Sequence, residues 1–424
     1  MGSPGSFRFL HAADLHIDSP LRGLARYEGA PAERIRGATR EAVDNLVALA
    51  KQESVDLVVI AGDVFDGDWK DVHAGLWFQK RLEELVDAGT EVFLLRGNHD
   101  AASTMSKGLA LPDGVRRFRD KAPETHRIES LGVALHGQSF AQRDVTDNLS
   151  IAYPEPIAGV FNIGVLHTSL AGYEGHDSYA PCSVADLVQK GYDYWALGHV
   201  HGREVVRDGD PWIVFPGNPQ GRHARETGPK GATLVTVEDG EVIEAEHRVL
   251  DAVRWAAIEV DAHGARNVED LLGRVRAELD AASRGAAGRL LAVRVTLCGA
   301  TPLDGELRRS EERIDAEVRA SGFAAAGEVW VEKVRLRTTG TEASRIRGEA
   351  GFAALADRVR DAGLPDEDRE RLAAELAALV QRLPAEVRAR VDSTELLDSS
   401  LGPARALLAA HFAGPGLSDS EDGR

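Results

Sequence analysis

Five apolar runs in the first 200 residues each end in a short polar island, and that repetition constrains the fold more than any other feature. The runs are residues 7–11, 55–60, 91–95, 161–166 and 194–197. The islands are Asp14-Leu15-His16, Gly62-Asp63-Val64-Phe65-Asp66, Gly97-Asn98-His99-Asp100, Leu166-His167-Thr168 and Gly198-His199-Val200-His201. Short β-branched and aromatic runs bounded by Gly, Asp and Asn are strand signals. Between the first two runs, Ile35, Ala38, Ala42, Val43, Leu46 and Leu49 line one face of a helix expected over residues 32–51, and a second helix is expected over 72–88. In open α/β sheets ligands gather outside the carboxyl ends of the strands, so the five islands should converge on one edge.

The islands carry carboxylates (Asp14, Asp63), an amide oxygen (Asn98) and imidazoles (His16, His167, His199, His201), with no cysteine among them. Mixed oxygen and imidazole donors suit Mn, Fe, Co or Zn better than Ca or an all-oxygen Mg site. His199 and His201 are two residues apart, so in extended backbone they point to the same side and can serve neighbouring ions. Two ions about 3.5–4 Å apart need a bridging anion, for which Asp63 is the natural candidate.

In this order the islands resemble the signature of the calcineurin-like metallophosphoesterase superfamily. The resemblance implies one divalent ion held by Asp14, His16, Asp63 and His201, and a second by Asp63, Asn98, His167 and His199. It assigns His99 as the general acid that protonates the leaving oxygen, with Asp66 as its orienting carboxylate. The run from Leu10 to Leu24 (LHAADLHIDSPLRGL) and the segment from Phe215 to His223 (FPGNPQGRH) are similar to SbcD-type DNA repair exonucleases, in particular their YhaO-like branch. Some relatives in that wider family carry histidine where Asp66 stands, so no second catalytic histidine is carried over. The implied activity is a Mn-dependent DNA nuclease, a 3′-to-5′ exonuclease with endonuclease action as a further option, working in end processing through two-metal hydrolysis. Two rivals stand beside it: a nucleotide or cyclic-nucleotide phosphodiesterase on the same core, and a non-catalytic scaffold for an ATPase.

The implied fold is α/β, a four-layer α/β/β/α sandwich over residues 1–250. A small α+β capping domain follows over 251–338, and a C-terminal helical segment over 339–424. Antiparallel strand patterns at 204–206, 212–215, 232–237 and 242–247 are expected to complete the second sheet. The capping domain reads β-α-β-α-β, with strands near 255–260, 290–297 and 329–336 and helices near 267–283 and 304–321. The final segment reads as helices broken at Gly363-Leu364-Pro365 and Leu383-Pro384, with a disordered tail from Ser418. Its stripe of Leu372, Leu376, Leu379, Val380 and Leu383 could pack on the capping domain or on another protein. The resemblance favours the second, an SbcC-like or YhaN-like coiled-coil ATPase, and also implies a homodimer paired through the first two helices. No Walker A sequence occurs, so ATP dependence would come from that partner.

Composition raises one objection to DNA as substrate. The formal charge is -18, and residues 1–250 hold 25 Lys and Arg against 37 Asp and Glu, whereas affinity for nucleic acid rests on cations at phosphates. Local patches such as Arg116, Arg117, Arg119 and Lys121, or a partner subunit, must compensate, although such a run can equally be a solvated face. Arg222, His223 and Arg225 suit either a phosphate contact or a polar loop at the site edge. Asp18 reads as a site residue or a turn cap, His11 as core, and His73, His126, His136 and His176 as solvated or structural. Cys182 and Cys298 lie far apart and read as small buried hydrophobes. No run approaches the ~20 apolar residues of a membrane span, and residues 1–6 lack the regions of a signal peptide, which implies a cytoplasmic protein, nucleoid-associated when on DNA.

Overall fold

A computed structural model of the chain describes residues 6–19, 31–66, 72–103, 108–170, 179–341, 365–381 and 393–412. His176, Leu383, the helix breaks at Gly363-Leu364 and Pro384, and the tail lie outside these residues. Two compact units divide the chain, residues 1–256 with 286–292, and 257–285 with 293–424.

In the first unit the elements run β1 (Phe7–Ala12), α1 (Ala32–Gln52), β2 (Leu57–Ile60), α2 (Val72–Asp87), β3 (Glu91–Leu94), α3 (Asn98–Ala102), β4 (Val115–Arg117), β5 (Glu124–Ile128), β6 (Val133–Gly137), β7 (Phe161–His167), α4 (Val184–Gln189), β8 (Tyr194–Gly198), β9 (Glu204–Arg207), β10 (Trp212–Phe215), β11 (Gly231–Glu238) and β12 (Glu241–Val249). They form two six-stranded sheets, ordered β12-β11-β1-β2-β3-β4 and β5-β6-β7-β8-β10-β9. Because successive side chains on a strand point to opposite faces, each buried strand serves two cores. Phe9, Leu57, Val59 and Phe93 of the first sheet meet Leu135, Ile163, Val165 and Ala196 of the second in one cluster. The opposite face of the first sheet, with Leu10, Val58, Ile60 and Val92, is covered by Val43, Leu46 and Val47 of α1 and Phe78, Leu82 and Leu85 of α2. Trp195, Leu197 and Ile213 on the outer face of the second sheet pack with Leu187 of α4. Helix, sheet, sheet and helix make the four expected layers.

One expectation is corrected. Only β9 and β10 of the four late strands join the second sheet, with β10 lying parallel to β8. β11 returns to the first sheet, antiparallel to β1, and β12 follows it to the edge. Pairing β11 with β1 satisfies backbone groups that β1 would otherwise present at an open edge. β11 is buried on both faces, with Val235 and Val237 between the sheets and Ala232 and Leu234 on the helix side, so its apolar pattern fits an interior position. The second sheet is instead filled by β5 and β6, which no sequence pattern announced. β5 reads Glu-Thr-His-Arg-Ile and β6 is only five residues long.

Several residues weighed earlier prove structural. His11 is fully buried, with Nδ1 3.0 Å from the Tyr194 hydroxyl and Nε2 3.0 Å from the Leu197 carbonyl, and burial holds its pKa at about 3. His136 is buried against Asn162 (3.1 Å) and Thr125 (2.9 Å), and His126 packs on Phe93 and Phe118. Asp18 accepts from Arg40 Nε of α1 at 2.7 Å, a loop clamp rather than a site residue. In the basic run, Arg116 pairs with Glu91 (2.8 Å) and Arg119 with Glu124 (3.3 Å), which removes much of its force as a phosphate patch.

The second unit carries most of β13 (Val253–Asp261) and β14 (Leu290–Thr301) and all of α5 (Val268–Gly285), α6 (Asp304–Arg309), α7 (Glu311–Phe323) and β15 (Val329–Gly340), and the strands form a three-stranded sheet in the order β13-β14-β15. Leu271, Val275 and Leu279 of α5 and Ile314 and Val318 of α7 are buried at helical spacing. Two later helices, α8 (Asp366–Gln381) and α9 (Ser393–Phe412), pack on each other, and α9 contacts α6. Leu379, Leu396 and Leu408 on them stay exposed. No described helix is long and apolar enough to cross a membrane.

Candidate metal centre

All five islands lie at the carboxyl ends of strands, those of β1, β2 and β3 in the first sheet and β7 and β8 in the second, and tight turns bring several of their side chains inward. Asp14, His16, Asp63 and His199 have φ of 54°, 44°, 53° and 104°. Such backbone is costly for residues with a Cβ and persists only where surrounding structure enforces it. Here Asp14 N donates to the Gly62 carbonyl (2.9 Å) and His16 N to the Asp63 carbonyl (3.1 Å), so the first two islands lock each other.

Two donor groups share Asp14, and a third, His16 with Asp66 and His99, lies beside them. In one, Asp14 Oδ1 lies 4.0 Å from His16 Nε2 and 3.9 Å from His201 Nε2, while the two imidazole nitrogens are 3.1 Å apart. In the other, Asp14, Asp63 and His167 converge, with His167 Nε2 3.4 Å from Asp63 Oδ2 and 2.9 Å from Asn98 Oδ1. His199 joins at this end: its ring meets that of His167 edge-on at 5.3 Å, and its backbone N donates to Asp14 Oδ2 at 2.9 Å. Asp14 is the carboxylate common to both groups, while the charge of Asp63 acts on His167, His16 and His99 alike.

These residues fit divalent cations. Asp14 Oδ1 is buried with no hydrogen-bond partner among the described residues, although buried polar atoms are rarely left so. Two imidazole edges face it, and at most one of their paired nitrogens can carry a proton toward the other. At the second group, burial alone would depress His167, yet the charge and hydrogen bond of Asp63 push its pKa up to about 9. Burial alone would raise Asp63, and the same pairing holds it well below the usual carboxylate range. The carboxylates therefore demand positive charge, which His167 meets with a proton where a cation can replace it.

His99 and Asp66 lie beside this centre. Asp66 Oδ1 is 2.7 Å from His99 Nδ1, Ser19 Oγ donates to Asp66 Oδ2 at 2.7 Å, and His99 N donates to Asp63 Oδ1 at 2.9 Å. The His99 ring meets that of His16 edge-on at 5.0 Å. Burial would lower the His99 pKa, but the Asp66 hydrogen bond and the Asp63 and Asp66 charges raise it above its ordinary value. His99 and Asp66 side chains are 34% and 21% exposed, so the pair, like His201 at 22%, lies on the open side of a cluster whose other donors are buried.

Sequence reasoning missed two supporting residues. Asp100 Oδ2 and Oδ1 accept from Val64 N and Phe65 N, each at 3.0 Å, knitting the second island to the third. Burial and the Asp63 charge push its carboxyl up to about 7 against those bonds. Its place in Gly97-Asn98-His99-Asp100 was the available signal. Glu226, outside every island, lies 2.8 Å from His201 Nδ1. Arg222 stands inside the site edge, 3.6 Å from Asp66 Oδ2, while His223 and Arg225 are exposed.

Close approach explains the glycines. A Cβ on Gly198 would lie 2.0 Å from the Ala61 carbonyl and 2.9 Å from His167 Nδ1, and His167 Nδ1 itself bonds that carbonyl at 2.9 Å. Gly198→Ala should therefore displace His167 and cost about 1–3 kcal/mol as overpacking. Thermal melting of the metal-free protein checks this; an unchanged midpoint would show that the turn yields freely.

Comparisons with known proteins identify the family. Residues 7–203 match the calcineurin-like phosphoesterase family, and residues 255–339 match the middle domain of metallophosphoesterase YhaO. Over 304 residues the chain is 35% identical to the uncharacterized metallophosphoesterase YhaO of Bacillus subtilis (strain 168), covering 69% of this chain and 72% of that protein. The chain belongs to the calcineurin-like metallophosphoesterases, in their YhaO-like branch. This YhaO-like chain is also 28% identical over 306 residues to the DNA double-strand break repair protein Mre11 of Methanopyrus kandleri, covering 63% of this chain and 62% of that one. Among solved structures, TT1561 of Thermus thermophilus aligns with a TM-score of 0.34 at 14% identity, covering 57% of this chain and 98% of that chain. The YhaO-like chain is thus a metal-dependent phosphoester hydrolase. Divalent ions bound at such a centre neutralise phosphoryl oxygens and activate water near neutral pH.

Proposed function

We propose that this YhaO-like metallophosphoesterase is a Mn-dependent DNA nuclease, a 3′-to-5′ exonuclease acting in repair and end processing. The observation that carries the reading is the His99–Asp66 pair, held at 2.7 Å on the open side of the donor cluster, where His201 is also partly exposed. Cleaving a DNA phosphodiester expels a sugar alkoxide, a poor leaving group that needs a proton as the P–O bond breaks. Asp66 binds Nδ1 and fixes the ring, which leaves Nε2 to hand its proton to the departing oxygen. Asp14, Asp63 and Asn98 with His16, His167, His199 and His201 would hold the divalent cations, which would supply the phosphate's counter-charge. The mixed O/N donor set supports Mn over Ca or Mg.

Similarity to a DNA double-strand break repair protein supports DNA over cyclic nucleotides. Metal-free protein reloaded with Mn is assayed on end-labelled duplex DNA beside a cyclic dinucleotide. The expected result is stepwise loss of nucleotides from 3′ ends. Hydrolysis of the cyclic dinucleotide with intact DNA would transfer the site to the rival phosphodiesterase reading.

A further inference from the structure

Glu226 is a buried carboxylate, 7% exposed, with no place in the mechanism so far. Oε2 accepts from Asn218 Nδ2 at 3.0 Å and from the Arg222 backbone N at 2.8 Å. Oε1 lies 2.8 Å from His201 Nδ1 and 3.0 Å from Arg222 Nη2. An ionised carboxylate has no proton to give, so the hydrogen between Glu226 and His201 belongs to Nδ1. That choice of tautomer leaves the lone pair on Nε2, the nitrogen facing Asp14 Oδ1 and His16 Nε2. Arg222 Nη2 also lies 3.1 Å from His201 Nδ1, but a guanidinium can only donate, and a protonated Nδ1 cannot accept. Arg222 therefore bonds Glu226, and its charge offsets the burial of that carboxylate. Lys230 Nζ donates to the His201 carbonyl at 2.8 Å and fixes the backbone under the same ring.

We infer that Glu226 is the positioning residue for His201, setting ring orientation and tautomer for the cation held with Asp14 and His16. The inference rests on the metal-dependent reading of the site. Outer carboxylates of this kind orient a ligand imidazole and raise its basicity, and their loss typically costs about 10–100-fold in metal affinity. Arg222, from the same loop and 3.6 Å from Asp66, sets the positioning carboxylate beside the acid pair.

The test is Mn binding to the metal-free full chain by isothermal titration calorimetry, which reads affinity without turnover. Glu226→Ala should weaken one of two equivalents about 10–100-fold and leave the other unchanged. Glu226→Gln should lose less, because an amide oxygen still accepts from Nδ1. In a His201→Ala background, Glu226→Ala should add nothing, since a residue acting through His201 has nothing left to position. Two equivalents of unchanged affinity in Glu226→Ala, or a further loss in the His201→Ala background, would overturn the inference. If Glu226→Ala melts without a cooperative transition, Glu226→Gln alone and combined with His201→Ala makes the same comparison. Wild-type protein that takes up no Mn would instead overturn the metal reading beneath it.

Discussion

Asp63→Ala is expected to abolish phosphodiester hydrolysis and to strip the centre of both ions. Asp63 is 1% exposed and ties three functions together. Its Oδ2 faces His167, its Oδ1 fixes the backbone N of His99, and its own carbonyl accepts from His16 N. Removing the carboxylate leaves His167, His16 and His99 close together without the charge that acts on all three. A buried charge left without its partner typically costs about 3–5 kcal/mol. Asp63→Asn keeps the shape and an oxygen for His99 N, so it separates lost charge from lost packing. Metal analysis after gel filtration, with cleavage of a nitrophenyl phosphodiester, checks both claims. Two equivalents of metal retained in Asp63→Asn, or turnover close to wild type, would show that Asp14, the carboxylate shared by both donor groups, carries the bridging role instead.

His99→Ala should leave both ions in place and cut DNA cleavage by roughly 10²–10⁴-fold, the usual cost of losing a general acid. The residue's side chain touches Asp66 and the edge of His16, and it belongs to neither of the two donor groups that share Asp14. The loss should depend on the leaving group. A nitrophenolate departs without a proton, so a nitrophenyl diester should be affected much less than DNA. Parallel steady-state kinetics on the two substrates measure the difference, and equal losses would mean that His99 positions phosphate rather than donating a proton. Asp66→Asn should show the same leaving-group dependence more weakly, since an amide can still bond the ring but not stabilise its cation.

The parts legible in the sequence are those encoded locally. Each of the five strands is an apolar run of a few residues that ends in a polar island, in four cases at a Gly or Asp, so the convergence of Asp14, Asp63, Asn98, His167 and His201 follows from strand ends alone. Gly97 and Gly198 stand in those islands, and the structure shows why, because a backbone pressed against Asp63 and His167 leaves no room for a Cβ. What escaped is set by partners distant in the chain. The pattern of β11 shows an apolar strand but not that β1, more than 200 residues earlier, is its neighbour. β5 hides its alternation behind Glu124, His126 and Arg127 at a sheet edge. Glu226 follows His201 by 25 residues in a charged loop, where no spacing rule distinguishes a ligand-orienting carboxylate from a solvated one. Arg222 was ambiguous for the same reason until its neighbours Glu226 and Asp66 were in view.

The most direct test of a two-ion nuclease is cleavage of end-labelled duplex DNA by metal-free protein titrated with Mn, read as initial rate against equivalents added per chain. Two ions acting on one phosphate predict little cleavage through the first equivalent and a plateau at the second, with nucleotides released from 3′ ends. A plateau at one equivalent, or intact DNA after two equivalents are bound, would contradict it.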